Sequence, residues 1–294
     1  MRLSVGAVDL HGVVGPANGP PLLLLHGVLR SWRDFAAVLP ALLPRWQVHA
    51  VDHRGHGQSD RCPGRYFVAD YAADVISLVR DHLPPGVVIF GHSLGALTAV
   101  AAAAACPERV RAVVLEDPPS AAFLADVPAS LWHPVWTGMR PLAASRAPVG
   151  EIARRLAEVR QPLPDGRTVR LGELRDAAAL RFSAACLRDL DPDTFAPLLA
   201  NRWLDGFDLA ATCPGVRCPA LLLRGEPALG GMLARADADA VVAHMADGAV
   251  VDVPGVGHLI HATATETTVR LVLAFLESLR GRADEDGDGD DGHP

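Results

Sequence analysis

Residues 87–105 read VVIFGHSLGALTAVAAAAA. The β-branched, wholly apolar start has the character of a buried strand, and the Ala-rich run from Leu94 onward that of a helix. Only Gly91-His92-Ser93-Leu94-Gly95 joins the two. A chain that leaves a strand and enters a helix within one residue must turn so sharply that Ser93 is held in a strained backbone conformation. Gly91 and Gly95 remove the side chains that would collide there. Ser93 Oγ is then presented above the sheet, and the helix N-terminus beneath it favours developing negative charge. The pentapeptide fits G-x-S-x-G. Alone it carries little; between this strand and this helix it points to a serine nucleophile.

Further apolar runs bounded by turn residues occur at Pro21–Leu25, Gln47–Val51, Val110–Leu115, Ala220–Leu223 and Ala249–Val253, and the N-terminus alternates like a strand. Helix-length stretches, Trp32–Leu43, Val68–His82 and Leu94–Cys106, lie between the early runs. This alternation predicts an α/β fold with a parallel central sheet, buried on both faces. It breaks after Pro118. Residues 118–211 hold helical segments, Val149–Arg160, Leu171–Leu190 and Thr194–Leu204, with no clear strand signal. They form an insertion too long for an ordinary connection. Residues 1–117 and 212–280 are the expected core. The acidic, Gly-rich residues 281–294 are expected to be a disordered tail, since their Asp spacing resembles a calcium loop but ends before the closing Glu.

Three more motifs follow strands. His26-Gly27-Val28 follows Leu22–Leu25, Asp52-His53-Arg54-Gly55-His56-Gly57-Gln58-Ser59 follows Val51, and Val253-Pro254-Gly255-Val256-Gly257-His258 follows the last run. With Gly91–Gly95, and in this order, they resemble the α/β-hydrolase superfamily over most of the chain. The resemblance implies an α/β-hydrolase fold, with a mostly parallel central sheet of about eight strands flanked by helices, whose residues 118–211 are a helical cap. It implies that Ser93 is the nucleophile, that His258 is general base and acid, and that the Val28 and Leu94 amides form an oxyanion hole. An imidazole of ordinary pKa, ~6.5, suits proton shuttling near neutrality. For His26, His92 and His261, packing or loop hydrogen bonding is the expected role.

The catalytic acid is not where the resemblance would put it. Three residues past Gly225 stands Ala228, in a stretch that reads GEPALGG. Asp117, ending RVRAVVLED, sits where some branches of the superfamily carry their acid, after the strand that follows the elbow helix. Glu226 is the runner-up, Glu116 is one residue short of the Asp117 position, and a dyad without an acid is a further reading. Successive strand residues face opposite ways, so Glu116 and Asp117 cannot both face the site.

The reaction expected is hydrolysis of a carboxylic ester or lactone through an acyl-serine. Carbon–carbon bond hydrolysis, perhydrolysis and a receptor with little turnover are the competitors. Trp132, Trp136, Met139, Phe182 and Trp203 are candidate lining for an apolar pocket that takes a small to medium substrate. No metal or organic cofactor is implied. A net charge of -7, with every basic residue an arginine and none clustered, argues against nucleic acid and anionic membrane as partners. The N-terminus lacks a signal-peptide pattern and the longest apolar run is too short to span a bilayer, so a cytoplasmic monomer or homodimer is expected. Five scattered cysteines indicate thiols rather than a disulfide framework.

Overall fold

The computed structural model describes residues 1–279; the tail expected at 281–294 lies outside them. Strands β1 (Arg2–Val5) and β2 (Val8–Val14) form a hairpin at one edge. Then come β3 (Pro21–Leu25), β4 (Gln47–Val51), β5 (Val87–His92) and β6 (Val110–Glu116). A separate two-stranded hairpin, β7 (Arg160–Pro162) with β8 (Thr168–Arg170), precedes β9 (Pro219–Arg224) and β10 (Asp247–Asp252). The main sheet has eight strands in the order β1-β2-β4-β3-β5-β6-β9-β10. Both pairings of β2 are antiparallel, and every pairing from β4 to β10 is parallel.

The sequence explains these positions. Leu22–Leu25 and all of β5 are buried, as central strands covered on both faces must be. The helix Leu94–Ala105 is apolar on every side and buried from Leu94 to Ala103, the pattern of a helix enclosed by protein all round. Two hydrophobic clusters sandwich the sheet. One holds the helices Val68–Asp81 and Leu94–Ala105 together with the insertion, and the other holds Phe35, Trp46 and the helix Thr265–Ser278.

Five sequence expectations need correction. The helix expected over Leu171–Leu190 is broken at Arg175 and Asp176 into Leu171–Leu174 and Ala177–Arg188, and the one expected over Thr194–Leu204 is only Phe195–Leu199. The insertion is helical apart from β7 and β8, whose polar, partly exposed three-residue strands leave no hydrophobic period to read. The helix expected over Val149–Arg160 ends at Ala157, because Arg160 opens that hairpin. Trp32–Leu43 is a 3₁₀ turn, Trp32–Ala37, followed by the single helical turn Leu39–Leu42, with Pro40 in its first turn. Among the described residues no helix is long and apolar enough to cross a membrane.

After β3 the chain goes to β4 on one side and then to β5 on the other. The carboxyl ends of β3 and β5 therefore flank a switch point, where the segments leaving two neighbouring strands diverge and open a crevice. The His26 loop leaves β3 there, and Ser93 follows β5.

Candidate active site

Ser93 has φ 54° and ψ -114°, the strained turn expected of a residue between β5 and its helix. Backbones on both sides explain the glycines. A Cβ on Gly91 would lie 2.2 Å from the Gly95 carbonyl oxygen, and one on Gly95 would lie 1.9 Å from that of Leu25. The elbow thus packs directly on the end of β3. Ser93 N–H donates to the Glu116 carbonyl at 2.9 Å, tying the turn to β6 as well. Leu94 begins the helix, and neither its amide nor that of Val28 has a hydrogen-bond partner among the described residues.

The loop carrying Val28 is braced by buried imidazoles. His56 Nε2 accepts from Leu29 N–H at 3.1 Å, and Leu29 itself has φ 66°. His26 Nε2 accepts from His53 N–H at 3.0 Å. Burial, reinforced by the neighbouring His56, pushes the pKa of His26 down to about 3, and burial pushes that of His56 down to about 4. These rings are therefore neutral and act as fixed acceptors.

Glu116 ends β6, and Asp117, the residue after it, faces the opposite way. Asp117 is fully buried, with φ 41°. Its Oδ2 lies 2.7 Å from His258 Nδ1 and accepts from Met232 N–H at 2.9 Å, while Oδ1 accepts from Gly225 N–H at 3.2 Å. Gly225 and Met232 bound the GEPALGG stretch, so the loop that lacks the expected acid lends its amides to one on the adjacent strand. That loop also packs on the His258 loop: a Cβ on Gly225 would meet the Gly257 carbonyl oxygen at 2.2 Å, and one on Gly257 would meet that of Leu229 at 2.1 Å. Glu226 does not reach His258. Its Oε1 accepts from Gly255 N–H at 2.7 Å at an exposed position.

Glu116 has a histidine of its own. Its carboxylate takes His261 Nδ1 at 2.8 Å and His261 N–H at 3.0 Å. On the far side His261 Nε2 lies 3.5 Å from Asp34 Oδ2, and Asp34 Oδ1 accepts from Arg30 Nε at 2.9 Å. Burial opposes charge on His261, but Glu116 and Asp34 outweigh it and raise its pKa to about 10. Beside it, burial lowers His92 to about 3, and His92 Nε2–H donates to the His258 carbonyl at 3.0 Å. The neutral His92 ring thus contacts both His258, at 4.7 Å between centroids, and the cationic His261, at 5.1 Å.

A narrow pocket opens above Ser93 and His258. From the insertion, Trp132, Trp136, Met139 and Trp203 line it. Trp132 also stands edge-on to His258, 5.7 Å between centroids, and its Nε1–H donates to the Gly230 carbonyl at 3.2 Å. Phe182, the fifth apolar candidate, does not line this pocket; its ring lies under the Arg30 guanidinium at 4.6 Å. Arg30, Arg175 and Ser183 do line it and were not singled out in the sequence. Arg30 lies two residues past Val28, a hint available in principle. Nothing local marks Arg175.

A serine in a strained strand-to-helix turn at the switch point, opposite an acid-bound histidine, has the layout of the α/β-hydrolases. The chain belongs to that family: the family described as alpha/beta hydrolase fold matches residues 20–172, more than half of the 294. Over 289 residues it is 28% identical to 2-(acetamidomethylene)succinate hydrolase of Mesorhizobium japonicum, covering 94% of this chain and 95% of the relative. A crystal structure of E-2-(acetamidomethylene)succinate hydrolase superposes with a TM-score of 0.61 at 29% identity over 94% of this chain and 98% of the other. The enol-lactonase of Burkholderia xenovorans LB400 shares the fold, with a TM-score of 0.71 at 21% identity over 94% of this chain and all of that one.

Proposed function

We propose that this chain is a serine hydrolase that cleaves a carboxylic ester or lactone through an acyl-serine intermediate, with Ser93, His258 and Asp117 as its triad. The observation that carries the reading is the 2.7 Å contact from His258 Nδ1 to the buried Asp117 carboxylate, at a pocket that Ser93 also lines. With Nδ1 donating to Asp117, Nε2 is the nitrogen left to take a proton. Ser93 Oγ attacks the carbonyl carbon and its proton passes to His258. The tetrahedral oxyanion is held by the Val28 and Leu94 amides, whose lack of internal partners supports this role. Collapse expels the alcohol, which takes its proton from His258. A water activated by the same imidazole then releases the acid. The insertion serves as a cap, and its Trp132, Trp136, Met139 and Trp203 give the substrate an apolar wall.

A second reading, cleavage of an amide-type C–N bond by the same residues, is favoured by the full-length likeness to a hydrolase whose named substrate carries an acetamido group. A panel of aryl esters of graded length, lactones and N-acetyl enamines, run against Ser93→Ala, separates the two. Turnover of esters or lactones that is abolished in Ser93→Ala is expected. Turnover confined to the amides favours the second reading, and activity that survives in Ser93→Ala overturns both.

A further inference from the structure

Arg175 is the anomaly of the site. It lies between the helical turn Leu171–Leu174 and the helix Ala177–Arg188, and its guanidinium has no hydrogen bond, ion pair or ring contact among the described residues. It faces both the pocket above Ser93 and a wider, open cleft that shares His258 with it. Arg30 lines both cavities too. Burial, with the Arg30 charge adding to it, pushes the Arg175 pKa down to about 10, so the group is still a cation at neutral pH.

The neighbouring charges do not compensate it. Two carboxylates, Glu116 and Asp34, serve two cations, His261 and Arg30. Asp176, the acid nearest in sequence, turns its carboxylate to cap the helix Ala177–Arg188, accepting from Ala179 N–H at 2.8 Å. One positive charge is left over, and Arg175 holds it. A guanidinium only partly open to water, beside a second one and without a partner, is unfavourable in a folded chain unless something supplies a counter-charge. Arg30 is fixed for such a role. Asp34 holds its Nε edge, Phe182 lies against its face, and its Nη1 donates to Ser183 Oγ at 3.2 Å. Ser183 lines both cavities as well.

We infer that the substrate carries a carboxylate in addition to its scissile bond, and that Arg175, with Arg30 and Ser183 beside it, binds that carboxylate where the two cavities meet. A planar guanidinium matches a carboxylate with two parallel hydrogen bonds, which a neutral or aliphatic group cannot use. The apolar wall formed by Trp132, Trp136 and Met139 then receives the uncharged part of the molecule. This inference rests on the serine hydrolase reading and narrows its substrate to an anionic ester, lactone or amide.

Two measurements test it. The first is kcat/KM for phenyl half-esters of dicarboxylic acids, from succinate to suberate, against their neutral methyl phenyl diesters. For at least one chain length the half-ester is expected to be preferred by about tenfold to a hundredfold, which is ~1.4–2.8 kcal/mol of differential binding. In Arg175→Gln the ratio of half-ester to diester falls to about one, and Arg175→Lys retains part of it. No preference at any length, or an equal loss on both ester types in Arg175→Gln, overturns the inference while leaving the hydrolase intact. The second is independent of turnover. The Tm of Ser93→Ala should rise with the free dicarboxylate of the preferred length, and this rise should vanish in Ser93→Ala/Arg175→Gln. Unliganded Arg175→Gln should melt no lower than wild type, because the residue has no partner to lose. If none of the dicarboxylates raises the Tm, or the double variant responds like the single one, the site does not bind carboxylate. Failure of every ester and amide, with dicarboxylate binding intact, would instead strike at the hydrolase reading.

Discussion

Asp117→Asn and Glu226→Gln are isosteric changes with opposite expected outcomes. Asp117 accepts three hydrogen bonds, from Gly225 N–H, Met232 N–H and His258 Nδ1. An asparagine offers one acceptor oxygen and one NH₂. With its oxygen in the Oδ2 position it keeps Met232 and His258, and its NH₂ faces only the Gly225 N–H, already the longest contact at 3.2 Å. The reverse orientation sets the NH₂ against two donors and forces His258 into the wrong tautomer. The first orientation is favoured, so the tautomer survives and the loss is the charge that stabilises the imidazolium. Loss of tautomer and charge together costs ~10⁴ in rate, about 5.5 kcal/mol. The expectation for Asp117→Asn is therefore a fall in kcat between about a hundredfold and ten-thousandfold. In Glu226→Gln the new amide oxygen can still accept from Gly255 N–H, and kcat should stay within about twofold. Steady-state turnover of the best panel ester, with circular dichroism to confirm folding, reads both. A near-normal Asp117→Asn alongside a crippled Glu226→Gln would refute the assignment of the acid.

Three other outcomes follow from the same contacts. Gly95→Ala places a methyl carbon 1.9 Å from the Leu25 carbonyl oxygen, so it should abolish soluble expression or activity, whereas Gly64→Ala, with open space but φ 77°, should cost only about 1 kcal/mol of stability by chemical unfolding. Glu116→Gln leaves His261 with half its compensation and should destabilise by about 3 kcal/mol in urea unfolding, as expected for a broken buried ion pair. Acid stability should be poor. His26, His92 and His56 have folded pKa values near 3, 3 and 4 against ~6.5 unfolded, so the unfolded chain takes up protons that the native one refuses. Stability is then lost as pH falls below about 6.5, approaching about 4 kcal/mol per pH unit near pH 5 from these three. His261 has the opposite sign: with a folded pKa near 10, its contribution is full below about 6.5 and is lost as pH rises toward 10. Urea unfolding at a series of pH values should therefore show a maximum near neutrality.

The fold is legible because its central strands are buried on both faces and so appear as unbroken apolar runs, and because the Ser93 elbow leaves room for nothing larger than glycine at two positions. The two acids at the end of β6 are legible as a pair, and the period of two says they must diverge. The pattern alone does not say which one meets His258. That depends on the phase of β6 against β9 and on the amides of Gly225 and Met232, and backbone donors leave no mark in a sequence. The hairpin β7–β8 is hidden because its short, polar strands bury almost nothing. Arg30 and Arg175 lie 145 positions apart in a chain rich in arginine, and only tertiary packing makes them neighbours.

Reaction of the folded protein with a fluorophosphonate, followed by intact mass and peptide mapping, reads the nucleophile itself. One adduct per chain on Ser93, absent from Ser93→Ala and formed far more slowly in His258→Ala, is the predicted result. A folded protein that takes no label, or takes it on another residue, would rule out Ser93 as an activated nucleophile.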